Sequence, residues 1–282
     1  MKLTDSAIMV IFSKDRAMQL NCCIDTLHKQ CQDIDNIPVN VIYTTTNNDH
    51  ERSYDILKEN YPDINFIKEN DFKKDLLDSL IGKTHVLFIV DDTIFVDEFY
   101  IGDMVDALEY KHNEYALGVS LRLGKNTTHC YPLNKDQKIP DFVYGWFGLS
   151  KFDWKKSEYD FNYPLELSSS LYRIDDLRSI FTLISYNNPN ELEYLLSINS
   201  FMIKKNYLLC FDTSVAFSNP VNKVQKTNNN RCAIDHSYSS EFLLGLFLEG
   251  FRIDITAFEN FISLGCHHEV EFLFINLKEK GK

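Results

Sequence analysis

The sequence predicts an α/β fold built on a mostly parallel, doubly wound sheet. In the N-terminal part of the chain, short apolar runs alternate with amphipathic segments, which is the pattern of strand–helix units in a parallel sheet. The 282 residues are 44% apolar, enough for a large core, and glycine and proline are sparse. Aromatic side chains are frequent, with 21 Phe and 15 Tyr, and suit a well-packed interior.

The first elements follow one another in a regular order. Ala7 to Phe12 is a continuous apolar run that predicts a buried strand, and residues 18–27 repeat apolar side chains at helical spacing. The next segments repeat this alternation of strand and helix patterns. Further strands are expected at 39–43, 64–67, 86–90 and 115–121, and further helices near 54–57, 72–81 and 99–108.

The pattern changes after residue 121, where we divide the chain. Residues 1–121 form the expected α/β half, and residues 122–282 form a more irregular half, with both halves in one continuous domain. The second half should contain fewer regular elements. These are a helix from Glu191, a helix over 239–248 ended by Gly250, a strand over 251–255, loops over 122–160 and 219–231, and a frayed tail over 277–282.

Charge and cysteine usage argue against several classes of protein. A formal net charge of -12 disfavours general electrostatic attraction to nucleic acid, so no nucleic-acid partner is expected. The seven cysteines are odd in number and match no common zinc spacing, so we expect reduced thiols in a cytoplasmic protein. We expect neither a secretory signal nor a transmembrane segment, which leaves peripheral contact with the inner face of a membrane open.

Two adjacent carboxylates, Asp91 and Asp92, follow the apolar run 86–90. Ligands of open α/β sheets bind outside the carboxyl ends of the strands, and acids buried there need a cation. A hard divalent cation and a phosphorylated ligand are therefore the first hypothesis. The alternative is a strand that ends in solvated acids.

Three motifs resemble those of type-A nucleotide-sugar glycosyltransferases of the bacterial, family-two-like kind. They are Ser-Lys-Asp-Arg at 13–16, Val-Asp-Asp-Thr at 90–93, and the late pair His267 and His268. Segments 163–173, 188–193 and 222–225 also look like pieces of such enzymes. The sequence departs from the family pattern because its two acids are adjacent rather than spaced by one residue. It also lacks the Gly-rich acceptor segment that a Glu-Asp pair follows.

The resemblance implies a metal-dependent glycosyltransferase that moves a sugar from a nucleotide-diphosphate donor to a glycan or lipid-linked acceptor of a surface glycoconjugate. Mn²⁺ or Mg²⁺ would neutralise the diphosphate. Asp92 is expected to bind the metal, and Asp91 to hold a ribose hydroxyl or a metal-bound water. His267 or His268 would be a third ligand, with a satisfied structural histidine as the alternative.

Other candidates are assigned by their positions in this framework. The residues expected to contact the nucleotide are Ser13, Arg16, Thr45, Asp71, Lys223 and Gln225. Arg16 suits phosphate through its planar fork, although it could instead pair with a nearby carboxylate. An inverting transfer needs a base, for which Glu193 and Glu191 are the first candidates and Glu166 and Asp235 the next. The alternative for Glu193 and Glu191 is acids that complement a helix dipole.

Two other functions fit parts of the sequence. A phosphatase with a strand-end Asp nucleophile would need a second acid spaced by one residue, and residues 91–95 lack it. A non-enzymatic sugar- or nucleotide-binding module would keep the fold without metal-dependent turnover. The aromatic segment at 144–148 could stack on a sugar or belong to a buried cluster.

Overall fold

The computed structural model describes residues 6–224, 231–234 and 238–280, and a nine-stranded sheet lies at the centre of this part of the chain. The strands are β1 (Ala7–Lys14), β2 (Val39–Thr44), β3 (Asn65–Lys68), β4 (His85–Val90), β5 (Thr93–Phe95), β6 (Ala116–Ser120), β7 (His129–Cys130), β8 (Lys135–Asp136), β9 (Val143–Tyr144), β10 (Ser150–Asp153), β11 (Ser169–Arg173), β12 (Tyr207–Cys210), β13 (Ala216–Ser218), β14 (Phe251–Ile253) and β15 (Phe274–Asn276). The helices are α1 (Ala17–Gln30), α2 (Asn48–Asn60), α3 (Phe72–Ser79), α4 (Ile101–Glu109), α5 (Ile174–Leu183), α6 (Pro189–Ile198), α7 (Ser240–Glu249) and α8 (Leu277–Lys280).

The central sheet has the order β3-β2-β1-β4-β11-β6-β12-β10-β9. The first four neighbours are parallel and are connected through α1, α2 and α3. β11 is inserted antiparallel between β4 and β6, and β12 pairs in parallel with β6. Every strand of this sheet except β10 and β11 therefore points the same way, which confirms the expected mostly parallel α/β class.

Apolar residues pack on both faces of this sheet. Met9 and Ile11 of β1 belong to one core with α1, whereas Ile8 and Val10 belong to the other core with α3 and α5. Successive side chains of a strand point to opposite faces, so a strand covered on both faces needs an unbroken apolar run. The run at the start of the sequence is explained in this way.

The predicted elements of the first 121 residues are confirmed, with shifted ends. The helix expected near 54–57 spans 48–60, because the side chain of Asn47 accepts a hydrogen bond from His50 N at 2.9 Å and starts it earlier. α3 ends at Ser79, two residues before its expected end. The expected C-terminal stop of α7 is also present, since Gly250 adopts a left-handed conformation with φ 98°.

The sequence patterns missed β11, α5 and β12. The residues of β11 are Ser-Ser-Leu-Tyr-Arg, which form no continuous apolar run, yet four of the five are buried because the strand has neighbours on both sides. The tail expected to fray at 277–282 contains the short helix α8. No helix within the described residues combines the length and apolar character needed to cross a bilayer.

Gly118 of β6 provides a test of the packing between β6 and β11. A Cβ atom at this position would lie 2.7 Å from the carbonyl oxygen of Leu171 and 2.7 Å from the ring of Tyr172. We expect Gly118→Ala to lower the free energy of unfolding by about 1–3 kcal/mol, because the sheet must shift to admit the methyl group. Urea denaturation measures the change.

The matched control is Gly245→Ala on the exposed side of α7, where no heavy atom lies within 4 Å of the added Cβ. This variant should be neutral or more stable by up to about 1 kcal/mol, because alanine favours helix over glycine. Equal unfolding midpoints for the two variants would contradict the close approach of β6 and β11.

Candidate active site

A cavity of about 870 Å³ opens where β1, β2, β4 and β6 end. This is the edge at which ligands bind in open α/β sheets. Acidic and basic side chains both line the cavity. The acids are Glu69, Asp91, Asp92, Asp160, Glu166 and Glu193, and the cations are Lys14, Arg16, Arg122, Lys223 and Arg231.

Asp91 is buried at the end of β4 and accepts several hydrogen bonds. Its Oδ2 atom accepts from Ser13 Oγ at 2.9 Å and from the backbone N–H of Lys14 at 3.2 Å. Its Oδ1 atom lies 3.0 Å from Arg16 Nη1, and the same nitrogen lies 3.2 Å from Asp92 Oδ2. One guanidinium nitrogen therefore bridges both carboxylates.

The turn between β1 and α1 places Arg16 over the acids. Asp15 has φ 53°, a left-handed conformation that aspartate tolerates better than most residues, and its Oδ1 atom accepts from Thr46 N at 2.8 Å. The other edge of the Arg16 fork donates to Asn222, from Nε to Oδ1 at 2.8 Å and from Nη2 to the carbonyl oxygen at 2.6 Å. The side chain of Arg16 is only 12% exposed.

Burial and charge shift these groups in opposing ways. Burial lowers the pKa of the Arg16 guanidinium, but Asp91 and Asp92 more than offset this and leave the pKa above its ordinary value. Burial raises the pKa of Asp91, Arg16 acts against the rise, and Asp92 adds to it. The ionised form of Asp91 is thus favoured by the cation beside it.

A second buried ion pair forms another wall of the cavity. Arg122 Nη2 lies 2.7 Å from Glu166 Oε2, which also accepts from Ser168 N at 2.6 Å, while Ser170 Oγ donates to Glu166 Oε1. Arg122 Nη1 donates to Ser218 Oγ at 3.0 Å. Sequence patterns did not single out Arg122. Its position just after β6 resembles that of Arg16 just after β1, and this similarity could have indicated a residue of the site.

Glu193 is half-buried on α6 and faces the same cavity. Burial raises its pKa to about 7, and the nearby charge of Glu166 adds to the rise, whereas Arg122 opposes it. A carboxylate with such a pKa can accept a proton near neutral pH. The sequence-based candidate base therefore lies in a suitable environment.

The two late histidines have different surroundings. His267 lines the cavity with Nε2 3.5 Å from Arg122 Nη1, and burial followed by the charge of Arg122 lowers its pKa to about 3, so it is neutral. His268 lies off the cavity lining, with its ring 5.1 Å from that of Phe261. Among the described residues, no group of three or more His, Cys, Asp or Glu side chains is arranged to hold a metal.

The structure brings most of the sequence-based candidates to the cavity. Ser13, Arg16, Asp91, Asp92, Glu193, Lys223 and His267 line it. The arrangement of Asp91 and Asp92 fits a divalent cation in one respect, since two carboxylates converge on a single cationic position, which Arg16 Nη1 takes. Diphosphate oxygens and water would have to supply the remaining ligands.

Three other candidates serve local structure outside the cavity lining. Thr45 donates to Glu51 Oε2 at 2.7 Å, and its neighbour Thr44 lines the cavity instead. Asp71 caps α3 by accepting from the backbone N–H of Lys74. Glu191 accepts from the backbone N–H of Asn187 at 2.8 Å, which closes the first turn of α6.

Two further candidates, Gln225 and Asp235, lie outside the described residues. The aromatic segment at 144–148 is neither core nor cavity lining. Trp146 packs on the ring of His112, with 5.5 Å between the centroids, and Phe147 is 44% exposed.

Comparisons with known proteins give relatives in sequence and in structure. No family model matches the chain. A bifunctional glycosyltransferase, pgtA of Dictyostelium discoideum, is 34% identical over 223 residues, which cover 68% of this chain and 28% of that protein. The chain therefore corresponds to only part of the relative's length.

Two solved structures are similar to this chain to different degrees. The S. aureus TarS fragment 1–349 in complex with UDP has a TM-score of 0.51 at 13% identity, over 76% of this chain and 60% of that one. The mannosyltransferase PcManGT from Pyrobaculum calidifontis, in complex with GDP-Man and Mn²⁺, has a TM-score of 0.40 at 10% identity, over 73% and 53% of the two chains. The fold expected from the sequence resemblance is confirmed by the first of these.

The buried pair of Arg122 and Glu166 leads to a stability prediction. We expect Arg122→Met to lower the free energy of unfolding by about 3–5 kcal/mol, because Glu166 is left buried without a counter-charge. The double variant Arg122→Met with Glu166→Gln should recover part of this loss. Chemical denaturation of the two variants measures the difference.

The control is Lys74→Met, which breaks an exposed ion pair with Asp78 on α3. Exposed pairs of this kind contribute about 0–1 kcal/mol, so little change is expected. A double variant no more stable than Arg122→Met alone would show that uncompensated charge is not the cause of the loss.

Proposed function

We propose that this chain, which has the type-A glycosyltransferase fold, transfers a sugar from a nucleotide-diphosphate donor to a hydroxyl group of a glycan or lipid-linked acceptor. The observation that carries the proposal is the presence of the acid pair Asp91 and Asp92 and of Glu193 in one cavity. The similarity to part of a protein named as a glycosyltransferase supports it. We further propose that residues 1–121 bind the donor and that residues 122–282 bind the acceptor.

The donor diphosphate is assigned to the end of the cavity next to β1 and β4. Asp92, with Asp91 beside it, would hold Mn²⁺ or Mg²⁺, and that ion would neutralise charge on the diphosphate as the bond to the sugar breaks. Ser13, Arg16 and Lys223 line the same cavity and can contact the nucleotide. A neutral His267 keeps a lone pair that could face a metal or a hydroxyl group.

Glu193 is the proposed general base of an inverting reaction. The acceptor oxygen attacks the anomeric carbon, its proton passes to Glu193, and the bond from that carbon to the diphosphate oxygen breaks. Glu166 is less suited to this step, since Arg122, Ser168 and Ser170 already bind its two oxygens. The pKa of Glu193 is raised above its ordinary value, which supports Glu193 rather than Glu166 as the base.

A sugar- or nucleotide-binding module without turnover is the second candidate. It is favoured by one observation, namely that Arg16 already neutralises both acids. The phosphatase alternative loses support because both oxygens of Asp91 are engaged by Ser13, Lys14 N and Arg16. We propose a cytoplasmic location for either remaining candidate, and the transferase would act on a glycan or lipid-linked acceptor.

Glu193→Gln tests the base. We expect kcat to fall by about 10²- to 10⁴-fold with little change in KM for the donor, because the acceptor hydroxyl loses its proton acceptor. In the wild-type protein the base must be ionised, and its pKa is raised to about 7, so kcat should be lost as the pH falls below this value. The pH profile of kcat should lose this acidic limb in Glu193→Gln.

Glu191→Gln is the matched control, since the two acids are two positions apart on α6. Glu191 accepts hydrogen bonds from Asn187, so this change should alter stability slightly and leave kcat near the wild-type value. Equal losses of kcat in both variants would argue for a structural effect on α6 and against Glu193 as the base.

Thermal stability with a panel of nucleoside diphosphates and nucleotide sugars, with and without Mn²⁺, identifies the donor class. A ligand that binds only the folded state raises the melting temperature by mass action. We expect one nucleotide to act only with Mn²⁺, and Asp92→Asn to abolish both this shift and donor hydrolysis while the protein stays folded. A metal-dependent, active Asp92→Asn protein would refute the assigned site.

A further inference from the structure

Arg16 takes the position in which a divalent cation would meet both acids. Its Nη1 atom lies 3.0 Å from Asp91 Oδ1 and 3.2 Å from Asp92 Oδ2. A guanidinium nitrogen and a dication cannot both occupy the position between Asp91 Oδ1 and Asp92 Oδ2, because like charges so close together repel strongly where water is scarce. Arg16 and the metal therefore cannot occupy this position at the same time.

We propose that Arg16 competes with the donor's divalent cation for Asp91 and Asp92, and is transferred to the diphosphate when metal and nucleotide bind together. This inference rests on the proposed donor site and adds a rule for how that site is filled. The cation and the nucleotide should reinforce each other's binding, and Arg16 should be the residue that couples them.

Displacing Arg16 without a nucleotide is unfavourable. The side chain is 12% exposed, so a displaced guanidinium would lose both carboxylates without full access to water. A diphosphate supplies new anionic partners in the same cavity, and the arginine fork matches phosphate oxygens well. Metal alone should therefore bind weakly, and metal with a diphosphate should bind well.

Arg16 also connects the acid pair to the segment that follows β13. Its Nε and Nη2 atoms both donate to Asn222, while Asn222 Nδ2 donates to Tyr238 O at 2.9 Å. The next residue, Lys223, lines the cavity. Release of Arg16 from the acids would change its hydrogen bonds to Asn222. Metal binding would therefore also affect the segment that contains Asn222 and Lys223.

The decisive experiment measures binding of Mn²⁺ alone to the full chain, by electron paramagnetic resonance of the free ion. We expect Arg16→Ala to bind Mn²⁺ at least about tenfold more tightly than the wild-type protein, within the range of about 5- to 150-fold seen for coupled sites. Adding Asp92→Asn to this variant should remove the gain. An unchanged affinity in Arg16→Ala, or a gain that survives Asp92→Asn, would overturn the inference.

Lys14→Ala is the matched control. Lys14 lines the same cavity two residues earlier, and it is the backbone N–H of Lys14 that contacts Asp91. Removing its charge should change Mn²⁺ affinity by less than about threefold, because only general electrostatics is altered. A gain equal to that of Arg16→Ala would show that Arg16 has no special place and would also overturn the inference.

Arg16→Lys covers the case in which Arg16→Ala does not fold, as judged by circular dichroism. A single ammonium group keeps the charge but lacks the fork that reaches both acids and Asn222. Mn²⁺ affinity should then rise by at least about fivefold, the lower end of the range of coupling factors between sites. An affinity equal to that of the wild-type protein would count against competition by Arg16.

Wild-type donor hydrolysis and the nucleotide panel test the proposed function separately. Metal-dependent nucleotide binding together with an unchanged Arg16→Ala affinity overturns only the competition. A gain of Mn²⁺ affinity in Arg16→Ala without binding of any nucleotide overturns the donor site and leaves the competition standing.

Discussion

The need to neutralise two adjacent acids at the end of β4 governs the rest of the site. Burial alone would favour the protonated form of Asp91, and the neighbouring charge of Asp92 adds to this tendency. Arg16 meets the need from the β1–α1 turn, because β1 and β4 are parallel neighbours. The same guanidinium then contacts Asn222, so one interaction joins the first loop, the fourth strand and a distant segment.

A second arginine repeats this solution on another wall of the cavity. Arg122 neutralises Glu166, whose oxygens are also bound by Ser168 and Ser170. Glu193 faces the same cavity, and its pKa is raised to about 7. The fold thus places Glu166, which has a buried counter-charge, near Glu193, which can exchange a proton near neutral pH.

Sequence reasoning located the acid pair and the elements of the first half because both depend on local pattern. An apolar run followed by polar residues indicates a strand end whatever surrounds it. It failed for β11, whose serines give no apolar run but are buried between two neighbouring strands. It also assigned Thr45 and Asp71 to the nucleotide and offered Glu191 as a base, whereas all three make hydrogen bonds to nearby residues.

Local sequence patterns were sufficient to predict the α/β class, the position of Asp91 and Asp92 at a strand end, and the position of Glu193 near a helix start. These features follow from periodicity and turn chemistry over a few residues. The contacts of Arg16 are not local, because its two acidic partners lie 75 and 76 residues away and Asn222 lies 206 residues away. Such contacts depend on strand order and register, which bring distant residues together through the packing of the whole sheet rather than through any local pattern.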